Sequence, residues 1–379
     1  MTIPLTPPLS PSFAVVEYSS KTKKIWRHTE KRPNYLCDPI HEIDPTSFGC
    51  YVSAFEGEHV PLVSLITGTQ VFLPLRIYRK IMKRITGAWP TYSISYLQQF
   101  DVLLVVYQIS DGHEMVALLQ RLRAEHPSQI IIGVPTQPYG ILREYWDKTP
   151  EALTEMREFI RACHTFITIV KRTLPKWERI SRTPMLYMPQ PYPTAFASRM
   201  FRERDQKSNI IFVAGVTGRD NIIKGQIVAA QLQKKFPAYR IQMAQVEGMD
   251  LDVKNLSGST YDVLPFQPWQ EHLAMLSRVA LVINTDYTET RGRVQADCAA
   301  VGTVSIGANS DAQEDLFPKL PADRNTSTAQ LVLQGEQLLG DTSYYSEIAR
   351  TAQQRLAQYD YEPSKERMEE LVQAIKMTL

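Results

Sequence analysis

Residues 289–307 read Glu289-Thr-Arg-Gly292-Arg-Val-Gln-Ala-Asp297-Cys-Ala-Ala-Val-Gly302-Thr-Val-Ser-Ile-Gly307, directly downstream of the apolar run Ala280-Leu-Val-Ile-Asn284. The pattern predicts a strand, a turn containing Gly292, a helix and a second strand. Glu289 then lies in the loop at the carboxyl end of a strand, and Asp297 lies about two turns into the helix. Open α/β sheets bind ligands at such strand ends.

Length and composition indicate a globular protein of two domains. The chain has 379 residues, of which 44% are hydrophobic and 22% charged, and this length exceeds one ordinary core. No run of eighteen apolar residues predicts a spanning helix. The Pro-rich first residues lack a basic region followed by an apolar one, so they predict a loose arm and not a signal peptide.

Cysteine usage and charge bear on the setting and the partners of the chain. The scattered cysteines form no Cys-x-x-Cys pair and predict reduced thiols in a cytoplasmic protein; they are Cys37, Cys50, Cys163 and Cys298. Residues 1–207 carry 26 Lys and Arg against 19 Asp and Glu, whereas residues 208–379 carry 16 against 21. A basic half joined to an acidic half predicts surfaces that meet different partners.

Alternating apolar and helical segments predict an α/β protein of two doubly wound, Rossmann-like domains that face each other across a cleft. The predicted domains are residues 1–205 and 206–355, followed by a C-terminal helix in 356–379 that begins at Ser364. The strands predicted in the first half are Phe13–Val16, Gly49–Val52, Val71–Leu73, Val102–Tyr107, Ile130–Val134, Phe166–Val170 and Met185–Met188. Those in the second half are Ile210–Ala214, Tyr239–Met243, Asp262–Leu264, Leu281–Ile283 and Val304–Ile306.

Several segments of the second half resemble the donor-binding domain of GT-B glycosyltransferases, most closely the retaining family-four type. Ile210-Ile-Phe-Val-Ala-Gly215 resembles that family's first strand and glycine turn, and Lys224-Gly225 resembles the start of its next helix. Phe266-Gln-Pro-Trp-Gln-Glu271 resembles the segment beside the nucleotide base. Glu289, Gly292, Asp297 and Gly302 have the spacing of its paired-carboxylate motif.

The resemblance implies a glycosyltransferase that uses a UDP- or GDP-type sugar, retains the anomeric configuration and needs no cofactor or metal. It also implies that residues 1–205 bind the acceptor, that residues 206–355 bind the nucleotide sugar, and that the final helix crosses back onto the N-terminal domain. By resemblance, Glu289 contacts the donor sugar and Asp297 the ribose. The developing charge of a diphosphate favours nearby cations and close backbone N–H groups. The residues that this implies for catalysis are Glu289, Lys224, Arg219 and His113, and those for donor binding are Gly215, Gly218, Phe266, Glu271, Thr290, Arg291, Gly292 and Asp297.

The chain departs from the family at two of these places. Asp297 is one methylene shorter than the usual Glu, and Val216 stands where the family commonly has Arg, with Arg219 further along. Structural alternatives remain for each residue. Lys224, Arg219 and Glu289 can be surface charges without a ligand, and Asp297 can be a hydrogen-bonded structural carboxylate of its helix. For the whole protein, the alternatives are a catalytically inactive nucleotide- or sugar-binding protein and a nucleotide-sugar epimerase on the same scaffold.

The first half matches the family more loosely. Residues 54–62 resemble the loop and helix after the first strand, which makes Gly57, Glu58 and His59 candidates for the acceptor side of the cleft. Gln137 and Tyr139 follow the strand Ile130–Val134 and are predicted at the same cleft. Turn geometry and core packing are the alternatives for these positions.

Two further features bear on partners. Residues 75–85 place five basic residues among apolar ones at helical spacing, which predicts peripheral contact with anionic lipid at the inner face of the membrane and suits a lipid-linked acceptor. An ordinary amphipathic helix is the alternative. No aromatic platform accompanies the basic residues, so a glycan, lipid-linked or small-molecule acceptor is expected and nucleic acid is not. Asp250 and Asp252 are not predicted to hold a metal.

Overall fold

The structure, a computed structural model, describes residues 12–17, 26–27, 49–61, 94–107, 112–135, 137–181, 185–215, 219–245, 261–265 and 267–379. The predictions for Val71–Leu73, for residues 75–85, for Cys37 and for Asp250 and Asp252 therefore lie outside the described residues.

The first half of the chain forms a sheet with the order β2-β3-β1-β4-β5-β6-β7. Its pairs are parallel except for β2 with β3, which is antiparallel. The strands are β1 Phe13–Glu17, β2 Trp26–Arg27, β3 Glu58–Pro61, β4 Val102–Tyr107, β5 Ile130–Pro135, β6 Thr165–Thr168 and β7 Leu186–Tyr187.

Strand β4 shows why a strand buried on both faces appears in the sequence as an unbroken apolar run. Every residue of β4 is buried. Leu103, Val105 and Tyr107 belong to one apolar core, whereas Val102, Leu104 and Val106 belong to another. Because successive side chains of a strand point to opposite faces, the two cores lie on the two sides of the sheet, as in a doubly wound domain.

The helices of the first half are α1 Gly49–Ala54, α2 Ile94–Leu97, α3 Gly112–Glu125, α4 Tyr139–Lys148, α5 Pro150–Ala162, α6 Leu174–Ser181 and α7 Thr194–Ala197. The prediction of a strand at Gly49–Val52 is wrong, since this segment is α1. Cys50, Tyr51 and Val52 are all fully buried, and a short helix buried all round gives the same apolar run as a buried strand.

The second half forms a parallel sheet with the order β10-β9-β8-β11-β12. The strands are β8 Ile210–Val213, β9 Arg240–Ala244, β10 Tyr261–Leu264, β11 Leu281–Ile283 and β12 Val304–Ile306, which confirms the strands predicted here. The helices are α8 Arg219–Lys235, α9 Trp269–Leu276, α10 Arg293–Ala300, α11 Asp311–Leu316, α12 Thr328–Gly340 and α13 Thr342–Leu356.

The last helix, α14 Tyr361–Lys376, packs on the first domain. Its residues Met368 and Val372 share an apolar core with Phe13 and Val15 of β1. The helix begins earlier than predicted, because Asp360 caps it by accepting a hydrogen bond from the Tyr361 N–H, and Ser364 lies inside its first turns.

The strand order of each sheet indicates where a ligand site is expected. In each sheet the first strand of the chain is central, the next two strands lie on one side of it, and the later strands lie on the other side. The direction in which strands are added therefore reverses between β1 and β4 and between β8 and β11. Ligands of doubly wound sheets bind outside the carboxyl ends of the strands at such a reversal. Gly215 and the loop of residues 284–292 follow β8 and β11 directly.

Candidate functional site

The loop after β11 is held in shape by its own side chains. Asn284 Oδ1 accepts a hydrogen bond from the Asp286 N–H at 2.9 Å, and Asp286 Oδ1 accepts from the Thr288 N–H at 2.8 Å and from the Thr288 hydroxyl at 2.6 Å. Such short polar side chains turn the backbone without a helix or strand ladder. These hydrogen bonds fix the backbone that leads to Glu289.

The backbone at both ends of this loop lies in the left-handed region. Glu289 has φ of 61°, and Gly292 has φ of 89° at the start of α10. A Cβ on Gly292 would lie 2.5 Å from Ser310 Oγ, so glycine is required there by both space and conformation. A glutamate held at positive φ costs about 1–3 kcal/mol, and such strain concentrates at functional sites.

Glu289 faces the first domain. Its Oε1 forms an ion pair with Lys176 Nζ of α6, and its side chain is 21% exposed. The ammonium group of Lys176 also lies 5.3 Å from the centre of the Tyr139 ring. Tyr139 is fixed in turn by edge-to-face contacts with Trp146 and Trp177, at 6.1 and 5.5 Å between ring centres. The carboxylate is thus accessible and positioned from both halves of the chain.

A second contact between the halves involves Asp311. Its carboxylate accepts hydrogen bonds from the backbone N–H groups of Lys171 and Arg172, at the start of the turn that leads into α6. The Arg172 guanidinium lies 3.4 Å from the same carboxylate and pairs with Glu314. Burial raises the pKa of Asp311 to about 6 in spite of these donors. Segment 171–181 is therefore anchored to the second half at Asp311 and at Glu289.

A narrow cavity of about 230 Å³ opens between the carboxyl ends of the two sheets. The first half contributes Gln137 and Tyr139 together with residues 168–170 after β6. The second half contributes Gly215 and the polar side chains of Asn284, Asp286, Thr290, Arg291, Arg293 and Gln295. Two guanidinium groups beside a glycine turn are suited to phosphate oxygens.

A wide cavity of about 740 Å³ adjoins it. Tyr139 lines both cavities, and the consecutive residues Glu289 and Thr290 line the wide and the narrow one respectively. The remaining lining comes from α4, from the start of α8 and from surface loops: Gly140, Arg143, Glu144, Asp147, Lys176, Asp220, Asn221, Tyr287, Thr288, Asn309 and Arg324. The two cavities therefore meet at Tyr139 and Glu289.

Asp297 does not line either cavity. It is 1% exposed, and its Oδ1 accepts hydrogen bonds from Tyr192 Oη at 2.8 Å and from Trp269 Nε1 at 2.9 Å. Arg293 Nε lies 3.6 Å from the other oxygen. This is the geometry of a satisfied structural carboxylate, and the predicted ribose contact would require the network to break.

Of the two cationic side chains predicted to bind phosphate after β8, the structure describes Lys224, and its position differs from the prediction. Helix α8 begins at Arg219 and not at Lys224, so Lys224 lies in its second turn. Lys224 Nζ donates to the Thr326 carbonyl at 2.5 Å and lies 4.7 Å from the centre of the Tyr287 ring, and burial lowers its pKa. Gly218 and the Arg219 side chain lie outside the described residues.

The other donor-side candidates are dispersed. Glu271 is an exposed residue of α9 and lines neither cavity, and Phe266 lies outside the described residues. Thr290 and Arg291 line the narrow cavity beside Gly215, as the resemblance implies for donor-binding residues. Their role stays a prediction.

The acceptor candidates of residues 54–62 lie away from these cavities. The expected helix is instead a turn followed by β3, and Gly57 and Glu58 lie at the amino end of that strand. Glu58 Oε2 accepts a hydrogen bond from Tyr96 Oη at 2.6 Å, and the fully buried His59 lies 3.0 Å from Glu17. Of the histidine candidates, His113 falls in the first turn of α3, and its side chain is outside the described part.

Three residues of the site were not predicted from the sequence: Arg293, Lys176 and Asp311. Arg293 follows Gly292 at the start of a helix, which is a signal for anion binding that the sequence offered. Lys176 and Asp311 had no such signal, because their partners are 113 and 140 positions away.

Within the described residues, no group of three or more His, Cys, Asp and Glu side chains is arranged to hold a metal ion. The helices that the structure describes include none long and apolar enough to cross a bilayer. The described cysteines Cys50, Cys163 and Cys298 are buried and form no disulfide.

Solved structures share this architecture at low sequence identity. An α-glucosyltransferase bound to UDP and a 13-mer DNA with a central A:G mismatch has a TM-score of 0.59 at 12% identity, over 96% of this chain and 100% of the other. Sucrose-phosphate synthase from Thermosynechococcus elongatus has a TM-score of 0.57 at 15% identity, over 86% and 84%. S. aureus TarM, bound to fondaparinux, α-GlcNAc-glycerol and UDP, has a TM-score of 0.55 at 11% identity, over 74% and 58%.

No family model and no curated protein sequence matches the chain. The exclusion of nucleic acid that the sequence suggested is not supported, since some of the similar structures hold DNA. The two doubly wound parallel sheets with their shared carboxyl-end cleft give this chain the GT-B fold of glycosyltransferases.

Proposed function

We propose that this protein transfers a sugar from a nucleoside-diphosphate sugar, of the UDP type, to a hydroxyl group of an acceptor, with retention of configuration. The observation that carries the proposal is the narrow cavity, where Arg291 and Arg293 lie with Gly215 at the strand-order reversal of the second sheet. Similar structures that hold UDP or UDP-glucose support the choice of donor.

The chemistry needs little from the protein besides positioning and charge. The bond from the anomeric carbon to the diphosphate oxygen breaks, the acceptor oxygen forms the new bond, and the acceptor proton leaves with the nucleoside diphosphate. Negative charge grows on the diphosphate. In this proposal it is offset by Arg291 and Arg293, which both line the narrow cavity. Positive charge grows on the sugar ring, and the Glu289 carboxylate lies at the same junction of the cavities.

Arg291 and Arg293 take a role that the resemblance gave to Lys224 and Arg219. Lys224 is engaged by the Thr326 carbonyl and the Tyr287 ring, so it does not line the narrow cavity. Asp297 likewise is committed to Tyr192 and Trp269. In this proposal, Glu289 and the two arginines are the functional part of the motif, and Asp297 supports the helix that follows it.

The acceptor hydroxyl can belong to a glycan, a lipid-linked sugar, a small molecule or DNA, since similar structures hold both a glycan and DNA. A cytoplasmic location and lipid contact through residues 75–85 remain predictions from the sequence. The second candidate function is a binding protein without turnover on the same scaffold. The occupied Lys224 and Asp297 are the observations that favour it.

Calorimetry with UDP-glucose, GDP-mannose and ADP-glucose tests the donor site. We expect the UDP sugar to bind, and we expect Arg291→Gln and Arg293→Gln each to raise its Kd about tenfold or more, because each removes a charge-assisted contact to phosphate. Lys224→Gln is the matched control and should change Kd by less than about threefold. Failure of all three sugars to bind, or equal losses in the Lys224 variant, would overturn the donor assignment.

Turnover separates the transferase from the inert binder. A phosphatase-coupled assay for released UDP should show slow hydrolysis of UDP-glucose in the absence of an acceptor. Tight binding of the sugar with no UDP release above the rate without enzyme favours the binding protein.

A further inference from the structure

We infer that the wide cavity binds a neutral oligosaccharide, so that it is the acceptor site of the proposed reaction; this inference rests on the proposed function. The cavity has about 740 Å³ of space, which lies within the range of sites that enclose small ligands. It is formed by α4 of the first half and by the start of α8 and the loop after β11 of the second.

The charges that line the cavity are mixed and slightly acidic. Three cationic side chains, Arg143, Lys176 and Arg324, face four carboxylates. One of the cations, Lys176, already pairs with Glu289. A polyanion such as DNA is held by cations that neutralise successive phosphates, and this lining offers it more repulsion than neutralisation. The cavity is therefore a poor match for a nucleic acid or a sulfated glycan.

The same groups match the hydroxyls of a neutral sugar. Carboxylates accept two hydrogen bonds from neighbouring hydroxyls, and guanidinium and amide groups donate to hydroxyl oxygens. The acidic acceptors Glu144, Asp147 and Asp220 lie here together with the amides Asn221 and Asn309. The rings of Tyr139 and Tyr287 supply apolar surface beside them. Donors, acceptors and aromatic surface within one cavity suit a chain of sugar rings.

The position of the cavity also fits an acceptor. Tyr139 lines both cavities. Glu289 lines the wide cavity, and the next residue, Thr290, lines the narrow one. A hydroxyl of a saccharide in the wide cavity would therefore lie next to a sugar whose diphosphate occupies the narrow one. Reaction requires such a close approach of acceptor oxygen and anomeric carbon.

Ligand-observed NMR on the full chain, with calorimetry for affinity, tests this assignment. The probes are maltotetraose, cellotetraose and chitotetraose as neutral saccharides, with a 13-mer DNA duplex and a heparin tetrasaccharide as polyanions. We expect at least one neutral tetrasaccharide to bind with little dependence on salt between 50 and about 300 mM. We expect the double variant Asp147→Asn/Asp220→Asn to weaken this binding by about fivefold or more, since each change replaces a charged acceptor.

Glu178→Gln is the matched control, because Glu178 is exposed on α6 and lines neither cavity; it should bind the saccharide as the unaltered protein does. The inference is overturned if no neutral saccharide binds, or if binding is equal in the double variant. It is also overturned if DNA or heparin binds in a salt-dependent way that Arg143→Gln/Arg324→Gln abolishes. UDP-glucose binding, measured on the same samples, distinguishes this failure from failure of the donor site.

Discussion

Glu289 and Asp297 are two carboxylates of one motif with opposite surroundings. Glu289 lies in a strained loop, is 21% exposed and pairs with Lys176 of the other half. Asp297 is 1% exposed and receives two hydrogen bonds on a single oxygen from Tyr192 and Trp269. The first carboxylate remains accessible to a ligand, whereas the second is used by the fold.

The difference shows that spacing along a chain does not settle which member of a pair is accessible to a ligand. The residues before α10 form a loop that crosses the carboxyl edge of the sheet, whereas Asp297 lies within the helix on a side covered by Tyr192 and Trp269. A buried carboxylate needs partners to offset its lost hydration, and here indole and phenol donors provide them. The predictions below test the contrast with each carboxylate changed in turn.

The largest effect is expected for Glu289→Gln. If the carboxylate stabilises charge on the donor sugar, its loss should lower turnover on the order of 10²-fold or more, with thermal unfolding nearly unchanged because the side chain is partly exposed. UDP release under saturating donor measures this. Glu369→Gln, an exposed change on α14, is the control.

Lys176→Met removes the same ion pair but keeps the carboxylate, and it should retain most of the turnover. Equal losses in Glu289→Gln and Lys176→Met would mean that the contact between the halves matters and the charge on Glu289 does not.

A smaller effect, on stability, is expected at Asp297. Asp297→Ala leaves the Tyr192 hydroxyl and the Trp269 N–H buried without their acceptor, which should cost about 2–4 kcal/mol of unfolding free energy. Asp297→Asn keeps an oxygen where both donors point and should cost about 1 kcal/mol. Denaturant unfolding followed by tryptophan fluorescence measures both.

The Asn variant also separates structure from ligand binding. Its affinity for UDP should stay within about twofold of the unaltered protein, since the carboxylate lines neither cavity. A variant of normal stability that binds UDP tenfold more weakly would place Asp297 at the ribose, and the contrast with Glu289 would fail.

The strands were predictable because of how they are buried. β4, β8, β11 and β12 are covered on both faces, so each appears in the sequence as a short apolar run between polar segments. The same rule gave the wrong assignment for α1, because its side that faces away from the sheet is covered by the last helix, α14. Local sequence cannot distinguish a strand from a short helix when neither has a polar face.

Within the site, local residues were predictable and distant contacts were not. Glu289 and Gly292 stand out by position after a strand, and Gly292 must be glycine because of its φ and of Ser310. The orientation of Asp297 depends on Tyr192, 105 positions away, and the anchoring of Glu289 depends on Lys176, 113 positions away. Such pairings arise when the two domains pack together, and they produce no pattern of residue spacing in the sequence.

Asp311 combines one feature of Asp297 with one of Glu289, and its substitution is expected to have the smallest effect of the three. It is buried like Asp297, yet it contacts the other half of the chain as Glu289 does. Burial raises its pKa from 3.8 to about 6, so the folded protein holds a proton that the unfolded chain releases. Its contribution to stability is therefore present below pH 3.8 and is lost as the pH rises through about 6.

Asp311→Asn does not titrate. It keeps an oxygen for one of the two backbone donors, since the Lys171 N–H bonds Oδ2 and the Arg172 N–H bonds Oδ1. The unfolding free energy of the variant, relative to the unaltered protein, should therefore rise by about 1–3 kcal/mol between pH 4 and 7 and then stay level. Denaturant unfolding of both proteins across this range measures the difference. A difference that is independent of pH, or that falls as the pH rises, would show that the ionised Asp311 carboxylate is well accommodated, and that burial between the halves does not set its protonation.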